Sequence, residues 1–172
     1  ILATRKAAAV IKAEPERRYV VASAPGKRCS DDIKVTDMLY DCYKLVKQDK
    51  DIDEAFEKIE ERYNEIIKDL GLKLWLKPEF DKIKNAILHH AGRDYIASRG
   101  EYLNSMILAD FIGYDFIDAE LGIFFTDRII GPLSSGAFVF LILIGIPVSR
   151  TGKIASSCIT VAPIYESSLN SA

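Results

Sequence analysis

The sequence predicts an α/β layered fold, from long stretches with an apolar residue every three or four positions, short apolar runs between them, and glycine or proline at the joints. Leu2 to Lys12 favours helix, and Glu14 to Arg18 form a polar turn around Pro15. Tyr19, Val20, Val21 and Ala22 then make a short buried strand that ends at Ser23 and Pro25. A loop of glycine, proline and mixed charge follows, and Thr36 stands where the next helix begins, ahead of Met38, Leu39, Cys42, Tyr43 and Val46.

Between Ile52 and Leu70 the apolar positions Ile52, Ala55, Phe56, Ile59, Tyr63, Ile66, Ile67 and Leu70 keep helical spacing, Glu and Lys fill the opposite face, and Gly71 stops the helix. Pro78 opens another helix with Phe80, Ile83, Ile87 and Leu88 on one side, and a further one runs from about Arg99 to Ile112, ended by Gly113. Tyr114 to Ile117 reads as a strand. From Leu121 onward short apolar runs are broken by Gly131, Pro132, Gly136, Gly145, Pro147 and Gly152, with no helix of convincing length.

The 172 residues are 49% hydrophobic and 28% charged, enough for one globular core with a solvated surface. The net charge is -2 and the 23 basic residues are scattered, which excludes the basic footprint of a nucleic-acid binder. Cys29, Cys42 and Cys158 have neither CxxC spacing nor the density of a disulfide framework, so no metal site is expected and a reducing cytoplasm fits best. The most apolar stretch, Ala137 to Val148, has 12 residues, whereas a membrane span needs about 20; it reads as core, and no membrane partner is expected.

Two segments could carry chemistry. Ser23 to Asp37 (SAPGKRCSDDIKVTD) lies between a strand and a helix start, where α/β folds bind ligands, although spacing alone favours the plainer reading that Thr36 only caps the helix. Ser98 to Ser105 (SRGEYLNS) has Ser98 and Glu101 three apart before an apolar run. That spacing fits a capping box, and it fits as well a Glu101 carboxylate pairing with a substrate ammonium. His89 and His90 are adjacent and cannot share a metal as an i, i+4 pair would, so they read as surface or helix-end residues. No GxxxxGK[ST], GxGxxG or HExxH motif occurs.

Taken whole, SAPGKRCSDDIKVTDMLY (Ser23 to Tyr40) and SRGEYLNSMILADFIGYDFIDA (Ser98 to Ala119) resemble the two front-half signatures of the aspartate kinases, with the Arg17 to Val21 strand and the helix around Arg62 and Tyr63. The likeness covers roughly residues 1 to 119. Leu121 to Ile130 (LGIFFTDRII) is similar to the family's nucleotide loop, Ser134 to Phe140 to the start of its Gly-Ala helix, and Gly145 to Val148 to a later strand. Thr151 to Ala172 resembles the start of the first regulatory ACT domain.

The resemblance implies an amino-acid kinase domain over residues 1–148, with a mainly parallel central sheet flanked by helices, and a partial ACT domain over 149–172. It implies transfer of the ATP γ-phosphoryl group to the side-chain carboxylate of L-aspartate, with Mg²⁺, in lysine, threonine and methionine synthesis. Thr36 and Glu101 match the aspartate-contacting residues, Phe124, Asp127 and Arg128 the nucleotide side, and Ser171 the position that binds a feedback amino acid. A homodimer is implied by the family's ACT pairing. The family's Lys-Phe-Gly-Gly and Ser-Arg-Gly-Gly-Ser-Asp segments have no counterpart in the chain. These absences predict ordered pieces of a longer polypeptide, or an internally deleted product, without kinase activity by itself. Another amino-acid kinase, or a non-catalytic amino-acid sensor built from kinase and ACT remnants, are the rival readings.

Overall fold

A computed structural model describes residues 2–118 and 144–145. Five helices dominate them: α1 (Leu2–Lys12), α2 (Val35–Val46), α3 (Asp53–Leu70), α4 (Lys77–Leu88) and α5 (Arg93–Ile112). The short strand β1 (Asp115–Phe116) pairs antiparallel with β2 (Ile144–Gly145).

The larger core forms where α2, α3, α4 and α5 meet. Its fully buried members include Leu39, Phe56, Ile59, Tyr63, Phe80, Ile83, Leu103 and Ile107, and the Tyr63 and Phe80 rings lie 6.2 Å apart. A smaller cluster joins Ala8 and Ile11 of α1 and Ala22 to Leu108, Ala109 and Ile112 of α5. Because α5 serves both clusters, it buries residues around most of its circumference, including Ser98, Arg99 and Ser105. A helix surrounded in this way loses the one-sided stripe that marks an ordinary surface helix.

α1 forms over the residues that favour helix and α3 where the apolar spacing places it, ending at Gly71 with φ of 72°. That left-handed geometry lets the Gly71 and Leu72 amides return to the carbonyls of Lys68 and Ile67. Gly113, φ 76°, ends α5 in the same way. In α4 the expected inner face holds for Phe80, Ile83 and Ile87, whereas Leu88 is 46% exposed because it falls at the last residue, beyond the packing of the neighbouring helices.

Three local expectations are corrected. Thr36 does not cap α2: Lys34 occupies the cap position, no side chain bonds there, and Thr36 lies inside the first turn. Ser98 and Glu101 form no capping box, because α5 starts at Arg93 after Gly92 and both residues are interior to it. The Ser98 hydroxyl instead donates to the Tyr95 carbonyl at 2.6 Å and accepts from Arg99, the back-bonding a serine adopts within a helix. Tyr19 to Ala22 carries only a single bridge, at Val20, rather than a strand. The one ladder among the described residues is antiparallel, so the expected parallel sheet is not part of them.

Candidate functional site

The loop from Ser23 to Lys34 is tied down from two helices. From α5, the Asn104 side-chain amide donates to the Ser23 carbonyl at 2.6 Å. From α3, the Arg62 guanidinium reaches the Gly26 carbonyl at 2.7 Å and the Asp32 carboxylate at 2.6 Å. Asp32 also accepts from the Arg28 backbone amide at 2.7 Å and from its guanidinium, and Arg28 extends to Glu65 at 2.8 Å. The Arg28 backbone amide most of all, then the Arg28 guanidinium and the Ile33 amide, hold the Asp32 carboxyl below its ordinary range against the opposing effect of burial. The loop closes where the Val35 amide donates to the Pro25 carbonyl at 3.3 Å, at the first residue of α2.

Gly100 is the point of closest approach between the two segments. A Cβ placed on it would lie 2.9 Å from the Ala24 Cβ, 3.4 Å from Leu39 Cδ1 and 3.6 Å from Val35 Cγ1. Gly100, the residue before Glu101, therefore packs against Val35, the residue before Thr36, at one junction of loop, α2 and α5. Tyr63, fully buried on α3, fixes this junction from beneath by donating its hydroxyl to the Gly100 carbonyl at 2.8 Å.

Glu101 is half-buried. Burial raises its carboxyl above the usual range, while the backbone amides of Glu101 and Ala24 and the charge of Arg99 pull it back down. A carboxylate in this position favours an approaching cation, since pairing offsets the desolvation it already carries. Thr36 is half-buried in the first turn of α2, and its hydroxyl is not engaged in capping.

Two shallow clefts lie elsewhere. One, of about 360 Å³, is lined by Asp37, Tyr40, Asp41, Tyr43, Lys44 and Arg93. Another, of about 320 Å³, runs beside Arg28, Asp32, Met38, Arg62 and Glu65. Neither includes Thr36 or Glu101. Phe124, Asp127, Arg128 and Ser171 lie outside the described residues, as does Cys158. Among the described residues no group of three His, Cys, Asp or Glu side chains could hold a metal ion, and no helix is long and apolar enough to cross a membrane. His89 and His90 are exposed at the end of α4, with His89 Nδ1 2.7 Å from the Asn85 carbonyl.

The chain is 27% identical over 139 residues to aspartokinase 3 of Bacillus subtilis (strain 168), a match that covers 76% of the chain and 28% of the relative. The crystal structure of Clostridium acetobutylicum aspartate kinase superposes with a TM-score of 0.64 at 41% identity, covering 67% of the chain and 27% of that protein. The chain is aspartate-kinase-like. No family model matches it, and it spans just over a quarter of the length of either relative.

Within this aspartate-kinase-like chain, the sequence assigns roles to Thr36 and Glu101, marks Arg62 and Tyr63 only as part of a family-like helix, and attaches nothing to Asn104 or Asp32. Arg62, Tyr63, Asn104 and Asp32 supply the ties that hold the two segments in place. One signal was available: Arg62 stands three residues after Ile59 on the apolar face of α3, where a lone arginine needs buried acceptors.

Proposed function

We propose that this chain carries the acceptor side of an aspartate kinase, which moves the γ-phosphoryl group of ATP to the side-chain carboxylate of L-aspartate. The observation that supports this reading most is the junction at Gly100, which sets Glu101 of α5 beside the loop that leads into Thr36. Glu101 pairs with the substrate ammonium and Thr36 offers its hydroxyl to the same molecule. The acceptor carboxylate is already ionised near pH 7, so no general base is required. Its oxygen attacks the γ-phosphorus, the bond to the departing ADP breaks, and 4-phospho-L-aspartate results. Catalysis in such a transfer is mostly positioning and charge neutralisation.

On the nucleotide side the reading assigns Phe124, Asp127 and Arg128, with Arg128 toward the phosphates. Magnesium bound with ATP supplies further charge neutralisation when present. The proposal extends to a mainly parallel central sheet beside these helices, kinase and ACT segments over 1–148 and 149–172, Ser171 in feedback binding, a cytoplasmic homodimer, and a place in lysine, threonine and methionine synthesis. The C. acetobutylicum relative is itself described as an allosteric enzyme. Without the family's Lys-Phe-Gly-Gly and Ser-Arg-Gly-Gly-Ser-Asp segments, the 172-residue chain alone is expected to form no ADP from ATP and aspartate.

In a full-length, active context Glu101→Gln removes one charge partner from one substrate. Loss of a charged hydrogen bond is worth about 1.5–3 kcal/mol, so the aspartate KM should rise roughly 10- to 100-fold while the ATP KM stays near wild type. An aspartate KM left unchanged by Glu101→Gln would return Glu101 to a structural role.

A further inference from the structure

We propose that Arg62 and Tyr63, successive residues of α3, are positioning residues of the acceptor site, one holding the loop wall and the other the helix wall, an inference that rests on the function proposed above. Successive side chains on a helix point about 100° apart, so one turn of α3 reaches two different segments without itself lining the junction.

Arg62 is 6% exposed, and its two terminal nitrogens go to different parts of the loop, Gly26 near its start and Asp32 near its end. Only a planar fork bonds both at once; a lysine in its place supplies a charge but not that fixed spread of donors. Asp32 is further locked by Arg28, and the loop runs directly into α2 through the Pro25 to Val35 bond. Any drift of the loop is therefore passed to the first turn of α2, where Thr36 sits.

Tyr63 works on the other wall. Its hydroxyl to the Gly100 carbonyl fixes how deeply α5 seats against Ala24 and Val35, one residue before Glu101. Burial first, and then the Glu101 charge, push the Tyr63 phenol well above its ordinary range. Together the pair sets the spacing between a loop and a helix that meet at one glycine.

The test compares the wild-type 172-residue chain with Tyr63→Phe and Arg62→Lys, the second as the conservative replacement. Each variant is checked for native helix content, then titrated with L-aspartate by calorimetry and followed by amide hydrogen exchange. Losing one hydrogen bond from a positioning contact should weaken aspartate binding about three- to tenfold. Exchange at the Arg28 and Val35 amides should accelerate in Arg62→Lys, which should not be rescued by its retained charge. A purely structural role would lower the melting temperature and leave the affinity of the folded protein unchanged, and that result overturns the proposal. Absence of aspartate binding in the wild type would instead sink the proposed function. In that case the exchange data test only the hold of Arg62 on the loop, and unchanged exchange at the Arg28 and Val35 amides in Arg62→Lys overturns that as well.

Discussion

At Glu101 burial works against the ionised carboxylate and backbone amides only partly offset it. A carboxyl whose folded pKa is raised binds more protons in the native state than in the unfolded one. The stability it contributes is therefore fully present below the unfolded pKa and is lost as pH rises through the folded one. Glu101→Gln should remove this component, so the difference in melting temperature between variant and wild type should shift in the variant's favour as pH rises from the unfolded carboxyl range to neutrality. A difference independent of pH would mean that Glu101 titrates normally. The residue types at Thr36 and Glu101 were legible in the sequence, but their local roles were not. A Ser-x-x-Glu spacing looks the same at a helix start and inside a helix, and only the helical backbone from Arg93 onward shows which applies. Arg62 was hidden for the opposite reason: its acceptors, Gly26 and Asp32, are 36 and 30 residues away.

Helices were the most legible elements because their signals are local. α1 follows from helix-favouring residues and α3 from spacing, and Gly71 and Gly113 mark the ends of α3 and α5 by taking positive φ. The α5 start was misplaced by six residues, from Arg99 to Arg93, since a helix buried on several sides gives no amphipathic onset. Tyr19 to Ala22 carries a single bridge, at Val20, among the described residues; an apolar run becomes a strand only where another segment pairs along it. Two glycines make a contrasting pair. Gly71 has φ of 72° and nothing within 4 Å of the point where a Cβ would stand, so Gly71→Ala should cost about 1 kcal/mol from backbone strain alone and leave aspartate binding unaffected. Gly100 is an ordinary helical residue, where alanine would normally help by roughly 1 kcal/mol. Its Cβ would stand 2.9 Å from Ala24, so Gly100→Ala should push the loop away from α5 and weaken aspartate binding. Thermal melts and calorimetric titration of both variants separate the two effects, and equal behaviour would contradict this account of the junction.

Across the whole molecule, α5 is the shared beam: one side closes the larger core with α2, α3 and α4, and the other receives α1 and Ala22. Glu101 and the Gly100 contact belong to this beam, which gives the acceptor side rigid support on secondary structure rather than on the loop alone. Of the expected α/β layered fold the helices were legible, while the parallel sheet is not among the described residues; sheet order depends on pairings between distant segments that no local pattern specifies. The residues assigned to the nucleotide and effector lie beyond the described part of the chain, so the central claim concerns the acceptor. Its most direct measurement is calorimetric titration of the 172-residue chain with L-aspartate, L-glutamate and succinate, in wild type and Glu101→Gln. Binding of L-aspartate in preference to the other two, with the preference over amine-free succinate abolished by Glu101→Gln, is the expected result. Equal binding of succinate and L-aspartate by the wild type, or an undiminished preference in the variant, would contradict an ammonium-gripping Glu101.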